Sequence, residues 1–165
     1  MKKILVLFLL FISIFMVVGC IKEEPKKDKE KKINVETEKE TYLKYVKELK
    51  KVTESSEDTP FTVEVLYDKI KEEVRYQVII DSPTEDITDI SALAIHNKQT
   101  DDVFPSVGIF DNKVDLKKEE KPSGVILVGY IPYEGEIDDF ECEIKLLVSY
   151  KINDEVKKVY YVTKK

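Results

Sequence analysis

Few side chains in this 165-residue chain could do chemistry, and they are thinly spread. There is one histidine, His96, one arginine, Arg75, and two cysteines, Cys20 and Cys142. A Ser–His–Asp or Cys–His relay needs an imidazole within reach of its nucleophile. His96 is the sole candidate base, it follows an apolar run, and no nucleophile motif accompanies it; it reads as a surface or turn histidine. One imidazole and one spare thiol cannot complete the usual closed zinc set. Cys142 would need nearby positive charge to act as a nucleophile or redox thiol. Glu141 and Glu143 flank it instead, and negative charge raises a thiol pKa; Cys142 reads as an inert core residue.

Carboxylates are the abundant reactive type. Glu134, Glu136, Asp138, Asp139, Glu141 and Glu143 form the densest run, and Asp81, Glu85, Asp86 and Asp89 a second, weaker one. Either could offer calcium some of the six to eight oxygens it takes, but neither has EF-hand spacing, and the first alternates like a solvated strand face. A glycosidase-like carboxylate pair would sit in a long substrate cleft, which the strand plan below does not suggest. No Gly-rich loop leads from a strand into a helix to cradle phosphate. The residue types predict no catalytic set, no cofactor and no metal.

Composition fits a globular chain, 42% apolar and 36% charged, with room for one domain. The formal charge is −6. Removing residues 1–19 takes away Lys2 and Lys3 and leaves −8, and the segment 22–32, with six Lys against four acids, contributes +2, so the body from Ile33 onward carries −10. So acidic a body repels phosphate backbones, and a lone Arg75 offers no clamp for them; nucleic acid is not the expected partner.

The N-terminus carries the sharpest signal. Lys2 and Lys3 precede an unbroken apolar run from Ile4 to Val18, short of a typical transmembrane span. It ends in Val17-Val18-Gly19-Cys20, and a strongly hydrophilic segment follows at once. These four residues resemble the lipobox of bacterial lipoproteins. The resemblance implies a signal peptide over residues 1–19, cleavage after the small Gly19, and a mature chain starting at Cys20 with its thiol carrying diacylglycerol built on acyl chains such as palmitate. Two buried chains anchor stably where one is marginal, since each methylene contributes about 0.8 kcal/mol. The alternative is an uncleaved membrane anchor in which Cys20 is incidental. With Cys20 capped by lipid, Cys142 has no disulfide partner within the chain.

The elements that follow are simple. Residues 20–36 read as the lipidated cysteine and a charged tether with almost nothing to bury. The segment 37–58 reads as a helix and linker. Thr37 and Glu40 fit a capping box, while Tyr42, Tyr45, Val46, Leu49 and Val52 fall on one face, ready to dock on the domain or, less simply, on a partner.

From residue 59 to 165 the period shortens to two, giving seven candidate strands: Phe61–Tyr67, Val74–Ile80, Asp89–Asn97, Phe104–Phe110, Val125–Tyr133, Phe140–Tyr150 and Val156–Thr163. Asp89–Asn97 is apolar on both parities, as a strand buried on both faces would be. Phe104–Phe110, broken by Pro105 and Gly108, suits an edge. Gly108 and Gly129 mark a bulge or a close backbone approach. Ser123-Gly124 opens the fifth strand, and Ile152-Asn153-Asp154-Glu155 makes the last hairpin turn. The expected fold is all-β, an immunoglobulin-like β-sandwich of about seven strands preceded by one short helix, with a small β-barrel as the alternative.

The plan of lipobox, charged stalk and β domain resembles uncharacterised small lipoproteins of Gram-positive bacteria, whose immunoglobulin-like domains commonly lack enzymatic activity. That resemblance implies a chain anchored by lipid at Cys20 on the extracytoplasmic face of the cell membrane. The expected function is non-enzymatic: an interaction module binding another envelope or extracellular protein, through loops at one end of the sandwich. The alternative is a small-ligand or calcium-binding surface lipoprotein.

Overall fold

Residues 35–100, 102–120 and 124–165 are described by a computed structural model of the chain. The signal segment, Cys20, the tether as far as residue 34, and Ser123 lie outside the described residues. The first element is the helix α1, Val35–Leu49. It takes in the last two residues assigned to the tether, so Thr37 is inside the helix rather than capping it, and its carbonyl accepts a bond from Thr41 Oγ1 at 2.9 Å. The helix closes in a tightened turn, where Lys51 and Val52 donate to Glu48 and Leu49.

Eight strands follow among the described residues: β1 Thr62–Ile70, β2 Glu73–Asp81, β3 Ile87–His96, β4 Ser106–Val107, β5 Val114–Leu116, β6 Gly124–Pro132, β7 Glu143–Ile152 and β8 Glu155–Lys164. A short 3₁₀ turn, Ile137–Asp139, lies between β6 and β7. One sheet has the order β1-β2-β6, the other β4-β3-β7-β8, with β5 also against β3. All pairings are antiparallel. This is a sandwich and not a closed barrel. Strands β1, β2 and β6 against β3, β7 and β8 reproduce the A-B-E and C-F-G halves of the immunoglobulin-like arrangement, and β4 sits beside β3 as an added C′ strand would. Strand β5 takes the D place in chain order, but pairs with β3 in the opposite sheet instead of with β6.

The core is built by alternation. Val74, Tyr76, Val78 and Ile80 of β2 and Val125, Leu127 and Ile131 of β6 face Ile90, Ala92 and Ala94 of β3 and Ile144, Leu146, Val148 and Tyr150 of β7. A second cluster lies on the other side of the β3–β7 sheet, where Tyr45 and Leu49 of α1 cover Leu93, Ile95, Leu147 and Ile109. That cover is why β3 is apolar on both parities. The β7–β8 turn places Asn153 and Asp154 both at positive φ, 51° and 64°, the conformation of a type I′ hairpin that these residue types tolerate. Gly108 sits at φ 67° with its α-carbon against the Ile90 carbonyl, leaving no room for a Cβ.

Candidate functional site

His96 ends β3, and it is not a surface residue as its position suggested. It is buried, with its ring edge-on to Tyr76 at 5.7 Å and to Phe104 at 5.1 Å. Phe104 comes back over it from the segment leading into β4, a contact that strand periodicity cannot show. Burial lowers the His96 pKa, against the Lys98 backbone and the charge of Asp102. Among the described residues Nδ1 has no hydrogen-bond partner. The environment holds the ring neutral and apolar, as a packing residue.

Cys142 is buried just before β7. Burial pushes its thiol up to about 11; Lys98 and the Asn97 backbone pull the other way, and Glu143 adds to the rise. Desolvation therefore outweighs the flanking carboxylates invoked from sequence. Phe140 and Cys142 share the parity of β7, but they precede its first residue, Glu143.

The two acidic runs do not converge. Glu134, Glu136, Asp138 and Asp139 are exposed in the loop and 3₁₀ turn rather than on a strand face. Glu143 pairs with Lys145 at 3.2 Å and Lys164 at 3.5 Å. In the second run Asp86 accepts the Lys118 amide at 3.1 Å, and Asp89 pairs with Lys151 at 2.7 Å. Among the described residues no group of three or more His, Cys, Asp and Glu is placed to hold a metal ion.

The aromatic stripe of α1 is used internally. Tyr42 Oη accepts the Phe104 amide at 2.8 Å, Lys158 Nζ meets Glu48 at 3.0 Å, and Tyr160 Oη donates to the same carboxylate. Burial opposes ionisation of Glu48, but Tyr160 and Lys158 outweigh it and lower its pKa. No helix among the described residues is long and apolar enough to cross a membrane.

What remains is the outer face of the β1-β2-β6 sheet. The register places Glu64, Ile79 and Ile126 in one row, Leu66, Gln77 and Val128 in the next, then Asp68, Arg75 and Tyr130. Ile126 is 56% exposed, Tyr130 46%, and Leu66 and Val128 41% each. A polar knot borders this apolar strip, in which Arg75 meets Asp68 at 2.6 Å and Gln77 Nε2 reaches the same carboxylate at 3.3 Å. From Gly124 to Pro132, β6 has no charged residue. Isolated exposed apolar residues are ordinary, whereas a contiguous strip rimmed by polar groups marks a contact surface. The sequence carries the signal, since Val125–Ile131 is apolar on both parities.

No protein-family model matches the chain, and neither a curated protein nor a solved structure shows a significant likeness to it. A strand order shared with immunoglobulin-like sandwiches carries no function by itself.

Proposed function

We propose that this protein is a non-enzymatic interaction module, anchored by lipid at Cys20 on the extracytoplasmic face of the cell membrane. It binds another envelope or extracellular protein through the outer face of the β1-β2-β6 sheet. The observation that carries the reading is the uncharged strand β6, with Ile126, Val128 and Tyr130 turned to solvent on a body that is otherwise strongly acidic. The contact surface is thus a sheet face, not the loops at one end. Apolar area on that face supplies affinity, and the Arg75–Asp68 knot on its rim supplies orientation.

The test is crosslinking in intact cells expressing the full chain, followed by purification and mass spectrometry. A discrete partner captured by the natural chain and lost with Ile126→Asp supports the reading. Capture that Ile126→Asp leaves unchanged overturns the assignment of the face. The anchor is checked separately: mass spectrometry of the membrane-purified chain should find an N-terminal Cys20 carrying diacylglycerol, and an unmodified Cys20 thiol would overturn lipidation there.

A further inference from the structure

We propose that strand β6 pairs with β6 of a second copy of this chain, antiparallel about a twofold axis at Val128, joining two three-stranded sheets into one six-stranded sheet. The proposal goes beyond the reading of the outer face: it assigns the open edge of β6, and the joined sheets present that same face as one longer strip.

The first argument is an account of the sheet edges, which soluble proteins blunt to prevent stray pairing. The β8 edge is covered by the linker after α1, with Ser56 exchanging bonds with Tyr160 at 2.9 and 3.0 Å, and Ser55 Oγ accepting the Val162 amide at 2.9 Å. The edge beyond β3 is made of two pieces only two and three residues long. Strand β1 carries Glu64 and Asp68 outward, and Lys69 on the core-facing parity, where its ammonium bonds the Tyr133 carbonyl. Strand β6 has none of these devices. It runs nine residues in unbroken register with β2, without charge, and its only proline is its last residue. Among the described residues no further hydrogen bond reaches Gly124–Pro132. The place beside it is the one a D strand fills in the A-B-E-D sheet, and here β5 has gone to the opposite sheet.

The second argument is self-complementarity. A twofold contact sets the same patch against itself. Centred on Val128, antiparallel pairing puts Ile126 opposite Tyr130 of the other copy and Val128 opposite Val128 on the outer face. Leu127 then meets Gly129, and Val125 meets Ile131, on the core side. Each pair is apolar, and aromatic–β-branched pairs are among the favourable cross-strand combinations. Two bodies of net charge −10 repel over most orientations. An uncharged strand lets them meet without like charges directly opposite, and the meeting extends the apolar strip across the joint.

The experiment uses the full chain expressed in cells, with single cysteines introduced and mild oxidant applied. Val128→Cys should give a disulfide-linked dimer on non-reducing gels, because the axis places the two copies' residues 128 face to face. Glu64→Cys, on the same face but on β1, should not. Light scattering of the purified protein should show a dimer that Val128→Lys converts to a monomer that still unfolds in one cooperative transition. A dimer that persists in Val128→Lys, or no Val128→Cys crosslink, overturns the pairing. A monomer that crosslinks through Val128→Cys to a different protein overturns the second copy as occupant while leaving the contact face standing. A monomer that captures nothing overturns both.

Discussion

Tyr76 of β2 and Gly129 of β6 stand directly opposite each other across the ladder, both toward the core, and the Tyr76 ring lies over the glycine so closely that a Cβ at position 129 would overlap it. The glycine is therefore the seat of a buried ring that is 1% exposed and in turn packs edge-on against His96. Gly129→Ala should destabilise the domain by about 1–3 kcal/mol, the usual cost of overpacking a core. In a Tyr76→Leu background, which removes the ring, the same change should cost much less. Denaturant melts of the four proteins measure the coupling. Additive effects would show that the ring does not rest on the glycine.

The α1 lid offers a separate test. Leu49 is fully buried between the helix and the β3–β7 sheet, and Leu49→Ala should cost about 2–5 kcal/mol, with exposure of Leu93, Ile95 and Leu147. Loss of the lid should appear as faster amide exchange along β3 and as proteolysis in the linker. The Glu48–Lys158 pair is partly exposed, so Lys158→Ala should cost no more than about 1 kcal/mol. If the two substitutions proved equal, the lid would be held by charge rather than by packing.

What the sequence made legible depended on whether local pattern and long-range cover agreed. The β7–β8 hairpin was readable because strict alternation ran into Asn153-Asp154, a turn whose chemistry needs no tertiary help. Strand β5 was missed, because three residues, Val114–Leu116, between lysines establish no period. The early start given to β7 came from Phe140 and Cys142 keeping its parity. Phe140 and Glu141 lie outside the ladder, with Phe140 buried against Tyr67 and Tyr133, whereas Cys142 still exchanges backbone bonds with Lys165. Strands β3 and β6 are the instructive pair. Both are apolar on both parities, and only the fold shows that α1 covers one while the outer face of the other lies open. That difference is tertiary, and it leaves the outer face of β6 open to solvent where β3 has a lid.

His96 gives the domain a pH dependence of fixed sign. Its pKa is lowered in the folded state by burial, below the ordinary value of 6.5, so the unfolded chain binds the proton more readily. Stability linked to this group is present above pH 6.5 and is lost as pH falls from there through the lowered folded value. Carboxylates such as Glu48, whose folded pKa is also lowered, lose their contribution only at more acid pH, below their ordinary 4.5. The melting temperature should therefore drop between neutral pH and pH 5, and His96→Phe should remove that drop while keeping the one at lower pH. An unchanged profile in His96→Phe would place the titrating group elsewhere.

Cys142 links the packing of the body to the address carried by the N-terminus. Burial raises its thiol to about 11, so at pH 8 about one part in a thousand is thiolate, and the residue is only 3% exposed as well. A disulfide-exchange reagent should leave the native protein essentially unlabelled and react promptly once denaturant opens the core. The number of thiols then released decides a further point. A chain whose Cys20 sulfur carries diacylglycerol has one thiol to give, Cys142, whereas an unprocessed chain has two. One equivalent from membrane-purified protein after unfolding is the expected count. Two would mean that position 20 is bare, and would remove the anchor from the proposed function without touching the contact face on β6. Rapid labelling of the native state would mean that β7 frays at its start, where Cys142 is held by paired bonds with Lys165 at 2.9 and 3.2 Å.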